Sequence, residues 1–245
     1  PEITDLRAVC VWGDIDLRDE LKPQRGDLNG ETKATAEATL EAYAEEFGKL
    51  VGGTDAVYGL DSVGGAYLFT APEATTEIAE YVAAEHGEHW AGRVLNELLN
   101  RSNEWLKEAQ ERVEGRVDGA SDVIDPDWAN NHNRKYKAPL SIHKDHDAVV
   151  TPIDTDDVDY SLTRLDAVDD ELVAQGEAWA KRFTTEEHTD RVAHLGAELF
   201  GAQPESWHDA VDEWSESTQA EAAKREEWRN QQQRNEDRDR DLSEC

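Results

Sequence analysis

The stretch LRAVCVWGDIDL, residues 6–17, decides the fold. Its centre is apolar and β-branched and it ends in carboxylates, so residues 6–17 read as a buried strand. Side chains alternate along a strand, which puts Asp14 and Asp16 on one face a few ångströms apart. Two like charges that close repel unless a cation lies between them, and Mg2+ or Mn2+ takes oxygen ligands of this kind. Other such pairs occur at Asp145/Asp147, Asp154/Asp156 and Asp157/Asp159. The pair at 14 and 16 stands apart because it follows the most apolar strand.

Outward from this strand, residues 18–30 hold Pro23, Gly26 and Gly30 and read as a loop. An amphipathic pattern predicts a helix over 33–50, with Leu40, Tyr43, Phe47 and Leu50 on one face. Strands are expected at 56–60 and 66–70, joined by a turn whose glycines supply positive φ. Pro72 opens a helix running to 113 with a break near Gly87. A short strand at 122–125, an irregular stretch at 126–138 and a hairpin at 140–153 follow. Residues 168–235 read as helices interrupted at 183–185 and 201–204. From Lys224 on the chain is charged and Gln-rich without an apolar stripe, which reads as a solvated helix or a disordered tail. The expected class is α/β in the α+β sense: a sheet core over residues 1–160, a helical extension over 161–235 and a charged tail over 236–245.

The chain carries 56 Asp+Glu against 25 Lys+Arg, a net charge of −31 in 245 residues. With eight Trp and clear apolar runs, this is a folded protein with a carboxylate-covered surface rather than a disordered one. At about 1 M salt the Debye length shrinks to roughly 3 Å and screens the self-repulsion, which points to a halophilic protein. The net charge therefore reflects the solvent, and local basic clusters are judged separately. Cys10 and Cys245 form no CxxC metal pair. No signal peptide and no run of 18 apolar residues is recognisable, so a cytoplasmic protein without a membrane partner is expected.

One dense basic run precedes the tail. Arg134, Lys135, Lys137, His143 and Lys144 fall within eleven residues of an otherwise acidic chain. Such an island suits a polyphosphate, whose oxygens are neutralised by cations and N–H donors; local charge balance is the competing reading.

These residues carry a resemblance. The segment KAPLSIHKDHDAVVTPID, residues 137–154, resembles the K-S-P-F-S-V-H … V-P-I-D segment of the small catalytic subunit of archaeal and eukaryotic primases. Lys137, Pro139, Ser141, His143, Pro152, Ile153 and Asp154 match. Asn133 fits as well, and Ile124-Asp125 matches the family's apolar-Asp motif 18 residues before His143. Asp14-Ile15-Asp16 corresponds to the family's DxD. The resemblance spans residues 8–154 and rests on the order of the motifs.

The resemblance implies an RRM-like, mainly antiparallel sheet with helices on one face and the acids open to a cleft on the other. It implies a DNA primase or primase-polymerase, a nucleotidyltransferase acting on nucleoside triphosphates over a DNA template. Asp14, Asp16 and Asp125 would hold two Mg2+ or Mn2+ ions, with Asp127 a lesser candidate. Lys137, Ser141, His143 and Arg134 would bind the nucleotide. A primase large subunit or a replicative helicase would be a partner. The sequence departs from the family where S-G-R-R-G-x-H is expected and Asp61-Ser-Val-Gly-Gly-Ala-Tyr67 stands, in its lack of Cys zinc ligands, and in having only 13 residues before Asp14. Three alternatives follow: a non-catalytic primase-like replication scaffold, a metal-dependent nuclease that would not need the basic run, and an acidic helical interaction protein.

Overall fold

The computed structural model describes residues 8–127, 137–143, 147–155, 157–185 and 189–243. Among them, strands β1 (Trp12–Leu17), β2 (Tyr58–Asp61), β3 (Gly65–Phe69), β4 (Ile124–Asp127) and β5 (Thr151–Ile153) form one sheet. Its order is β4-β1-β3-β2-β5, with all neighbours antiparallel. Helices α1 (Gly30–Val51), α2 (Pro72–His86) and α3 (Glu88–Glu114) alternate with these strands. The chain from β1 to β4 thus follows the split βαβ plan, with β1 and β3 central among the first four strands. The expected α+β class, with a mainly antiparallel sheet and covering helices, is what the chain forms.

Local chemistry sets the element ends. Asn29 caps α1 by accepting the Thr32 N–H on its side chain at 2.9 Å, so the helix starts at Gly30, earlier than the apolar pattern from 33 predicts. Gly52 ends it in the left-handed conformation, φ 76°. Gly87, at φ 101°, separates α2 from α3 as expected. The strand expected at 122–125 is displaced: Ala120–Val123 forms a short helix, α4, and the strand begins at Ile124 and reaches Asp127, inside the stretch read as irregular. The hairpin expected at 140–153 reduces to a bridge between Ile142 and Val149, followed by β5 on the edge of the sheet beside β2.

Strand alternation divides the core. One face presents Ile15, Leu17, Ala66 and Leu68 to α1 and α3, where Leu40, Tyr43, Phe47, Val94, Leu95 and Leu98 are buried. The other face presents Trp12, Tyr58, Leu60, Tyr67 and Phe69, covered by Ala148 and Val150 and by Trp179 and Phe183 of helix α5 (Asp170–Thr185). Trp179 and Phe183 stack at 5.0 Å and meet Tyr58 edge-on. The acid face, expected to be open, is therefore only partly so, because its aromatic half is covered by a helix of the stretch read as an extension. Helix α6 (Thr189–Phe200) joins the other core through Val192, Leu195 and Leu199. Helix α7 (Trp207–Ser243) packs at its start through Trp207 and Val211, then runs on without an apolar stripe, the helical form of the two readings of the tail.

Candidate functional site

The pairing of β1 with β4 sets Asp16 opposite Asp125 and Asp14 opposite Asp127. Directly paired residues share a face, as do positions i and i+2, so Asp14, Asp16 and Asp125 lie on the same side of two adjacent strands. Asp14 is buried, Asp16 is half-buried and Asp125 is exposed; the Asp127 side chain lies outside the described residues. On the far side of β1, Tyr67 pairs with Asp14 and Gly65 with Asp16. A Cβ at position 65 would come within 2.5 Å of the Asp16 Cα and of the Ile15 carbonyl oxygen, so glycine is required for β3 to pass Asp16.

Asp16 has a protein cation beside it. Lys22 Nζ donates to Asp16 Oδ2 at 2.7 Å and to Asp19 Oδ1 at 3.1 Å. Burial works against the ammonium, but the hydrogen bonds to Asp16 and Asp19 prevail and hold Lys22 above its usual value. Among the described residues, no group of three or more His, Cys, Asp or Glu side chains is arranged to hold a metal ion. The donor set still fits a hard divalent cation by type, since carboxylate oxygens from two paired strands face the same side. In this arrangement Lys22 occupies part of the coordination that Asp16 would offer.

Of the basic run, Lys137 and His143 are among the described residues. Lys137 Nζ donates to the Ser62 carbonyl at 3.1 Å in the β2–β3 turn, and the Gly64 carbonyl of that turn accepts from Leu17 N–H at 3.0 Å. Ser141 and His143 lie on a segment laced to 148–150: His143 N–H donates to Ala148 and Val150 N–H to Ser141, at 2.9 and 3.0 Å. Ala148 and Val150 bury on the aromatic half of the acid face, so this segment sits on the same side of the sheet as the aspartates. Arg134, Asn133, Lys135 and Lys144 lie outside the described residues.

The turn itself corrects one expectation. Val63, not a glycine, takes positive φ, 74°, while fully buried. A β-branched residue there is strained, and the strain is held by neighbours. Val63 N–H donates to Asp61 Oδ1 at 2.7 Å, and Asp61 Oδ2 accepts from Arg25 at 2.6 Å. Arg25 also donates to the Tyr160 carbonyl and lies 3.3 Å over the Tyr160 ring. Burial pushes the Asp61 carboxyl upward, and Arg25 and the Val63 N–H pull it back. Sequence reading placed Arg25 in a loop and Asp61 in a turn. Asp61 carried the signal already used for Asp14, an acid at the end of an apolar strand; nothing in sequence pairs it with Arg25.

Comparison with known proteins adds no relative: no protein-family profile, no curated protein and no solved structure matches the chain.

Proposed function

We propose that the chain is a primase-type nucleotidyltransferase that joins nucleotides on a DNA template. The observation that carries this reading is the β1–β4 register, which sets Asp125 opposite Asp16 on the face that also holds Asp14, although these residues are distant in sequence. Divalent ions held by Asp14, Asp16 and Asp125 would activate the attacking 3′-hydroxyl and offset charge on the departing pyrophosphate. The chain's own residues supply the rest. Gly65 lets β3 approach Asp16, and the turn braced by Asp61 fixes Ser62, to which Lys137 is tied. Lys137 and His143 meet phosphate oxygens from the side of the sheet that carries the acids. The molar-salt adaptation lets an acidic surface approach DNA, because screening removes long-range repulsion.

A primer-extension assay with Mg2+ or Mn2+, beside a nucleotide-binding titration, tests this reading. Asp16→Ala is expected to abolish incorporation and keep some nucleotide binding. His143→Ala is expected to weaken nucleotide binding while leaving the fold intact. Incorporation by His143→Ala equal to wild type removes the phosphate assignment. A specific observation favours the non-catalytic scaffold as second reading: Lys22 neutralises Asp16, and the turn at 61–67 lacks arginines. DNA binding by the wild type without incorporation at any salt or metal condition selects it.

A further inference from the structure

On the acid-bearing side of the sheet, between β2, β3, α5 and the segment at 137–139, lies a cavity of about 340 Å3. The sheet contributes Leu60 and Phe69, both buried, and α5 contributes Trp179 and Phe183, both half-buried. Three aromatic rings therefore meet at its wall. Trp179 and Phe183 stack at 5.0 Å with their planes 13° apart, and Phe69 stands steeply to both, at 6.3 and 6.0 Å. Flat aromatic groups favour stacked and edge-on neighbours of this kind. Water gains little in such a space, because each molecule needs several polar partners.

The lining is as distinctive in charge. Of the described residues around the cavity, one is charged, Lys137, and none is acidic, in a chain with 56 acidic and 25 basic residues. Cys10 lies in the lining as well, and burial pushes its thiol up to about 11, so it stays neutral. Lys137 Nζ donates to the Ser62 carbonyl at 3.1 Å, an uncharged acceptor. Its charge also reaches Asp61, a carboxylate already paired with Arg25 at 2.6 Å. An incoming anion therefore meets an ammonium and no carboxylate in the lining. The acids of β1 lie apart. Leu60 pairs with Tyr67 and Tyr67 with Asp14, so two strand spacings, roughly 10 Å, separate Leu60 from Asp14.

We propose that this cavity binds a flat aromatic molecule carrying an acidic group, its ring lying against Trp179, Phe183 and Phe69 and its anion at the Lys137 ammonium. The ring supplies the apolar burial and the anion fixes orientation, the division of labour usual in small-molecule sites. The site needs no divalent ion and does not rest on the nucleotidyl-transfer reading.

The test is calorimetric titration of the full chain, in EDTA at constant KCl, with 1-naphthyl phosphate, 1-naphthol, AMP and inorganic phosphate in turn. Ala180 lines the cavity from the exposed side of α5, so Ala180→Phe fills the space from its rim without entering the core. It is expected to weaken binding about tenfold or more, with the urea midpoint preserved. Lys137→Met is expected to weaken naphthyl phosphate about tenfold, the equivalent of one charge-assisted hydrogen bond, and to leave naphthol unchanged. AMP bound as tightly as naphthyl phosphate marks a nucleotide as the source of ring and acid. Naphthyl phosphate bound without AMP marks an aromatic acid of another kind. The proposal is overturned if wild type binds neither of these two, if inorganic phosphate or naphthol binds as tightly as they do, or if Ala180→Phe binds as wild type does.

Discussion

Replacing Arg25 with Met tests how the turn beside Asp16 is held. The Arg25 and Asp61 side chains are 1% and 5% exposed, so solvent does not screen the pair. Methionine keeps the aliphatic volume but leaves the Asp61 carboxylate buried without its counter-charge. Breaking a buried ion pair from one side destabilises by about 3–5 kcal/mol, a large share of the roughly 5–15 kcal/mol of a whole domain. For a chain of this size that corresponds to a fall in Tm of about 6–20 °C. Urea unfolding followed by tryptophan fluorescence reads it without altering ionic strength. Adding Asp61→Asn to Arg25→Met is expected to restore part of the loss, because the stranded charge is gone while the amide oxygen still accepts from Val63 N–H. A loss under about 1 kcal/mol, or no recovery in the double variant, refutes the idea that this pair braces the turn.

Three further outcomes follow from the same geometry. Gly65→Ala drives a Cβ into the Asp16 backbone and is expected to destabilise by about 1–3 kcal/mol in urea titration; a neutral result contradicts the close approach. Lys22→Ala frees Asp16 of its cation and should tighten Mn2+ binding about fivefold, the worth of a partly exposed ion pair, measured by electron paramagnetic resonance; unchanged affinity shows that Lys22 does not compete. Burial alone would raise Glu46, but its hydrogen bonds to Lys49 and Arg112 bring it below the usual glutamate value. A folded value below the unfolded one means that its stabilisation is present above the unfolded value and lost as pH falls through the folded one. Glu46→Gln should therefore be less stable at neutral pH and show a flatter decline between about pH 5 and pH 3; parallel curves for the two proteins contradict this.

The parts legible in sequence were those written in local pattern. The apolar, β-branched run found the strand bearing Asp14 and Asp16, and period-two alternation put both on one face. The 3.6-residue stripe found α1, and Gly87 and Pro72 set the limits of α2. Motif order directed attention to Asp125, and pairing places it opposite Asp16. What escaped was set by contacts between distant segments. Arg25 looked like a loop residue because its partner, Asp61, lies on a strand that only tertiary packing brings near, and Lys22, six residues after Asp16, showed no pattern that pairs the two. Val63 took the positive φ expected of its glycine neighbours because Asp61 caps its N–H, and Gly65 was needed instead to pass Asp16. Helix α5 came to lie on the acid face because Trp179 and Phe183 complete an aromatic cluster with Tyr58 and Phe69. Its own apolar stripe does not reveal that destination.

The central claim is that aspartates from β1 and β4 act together on divalent ions. The most direct measurement is the number of Mn2+ ions bound per chain at high KCl in the presence of a nucleoside triphosphate, for wild type and for Asp125→Asn. The account predicts about two ions in wild type and the loss of at least one in Asp125→Asn, with the urea midpoint unchanged. Equal Mn2+ binding by the two proteins, or none by wild type, contradicts it.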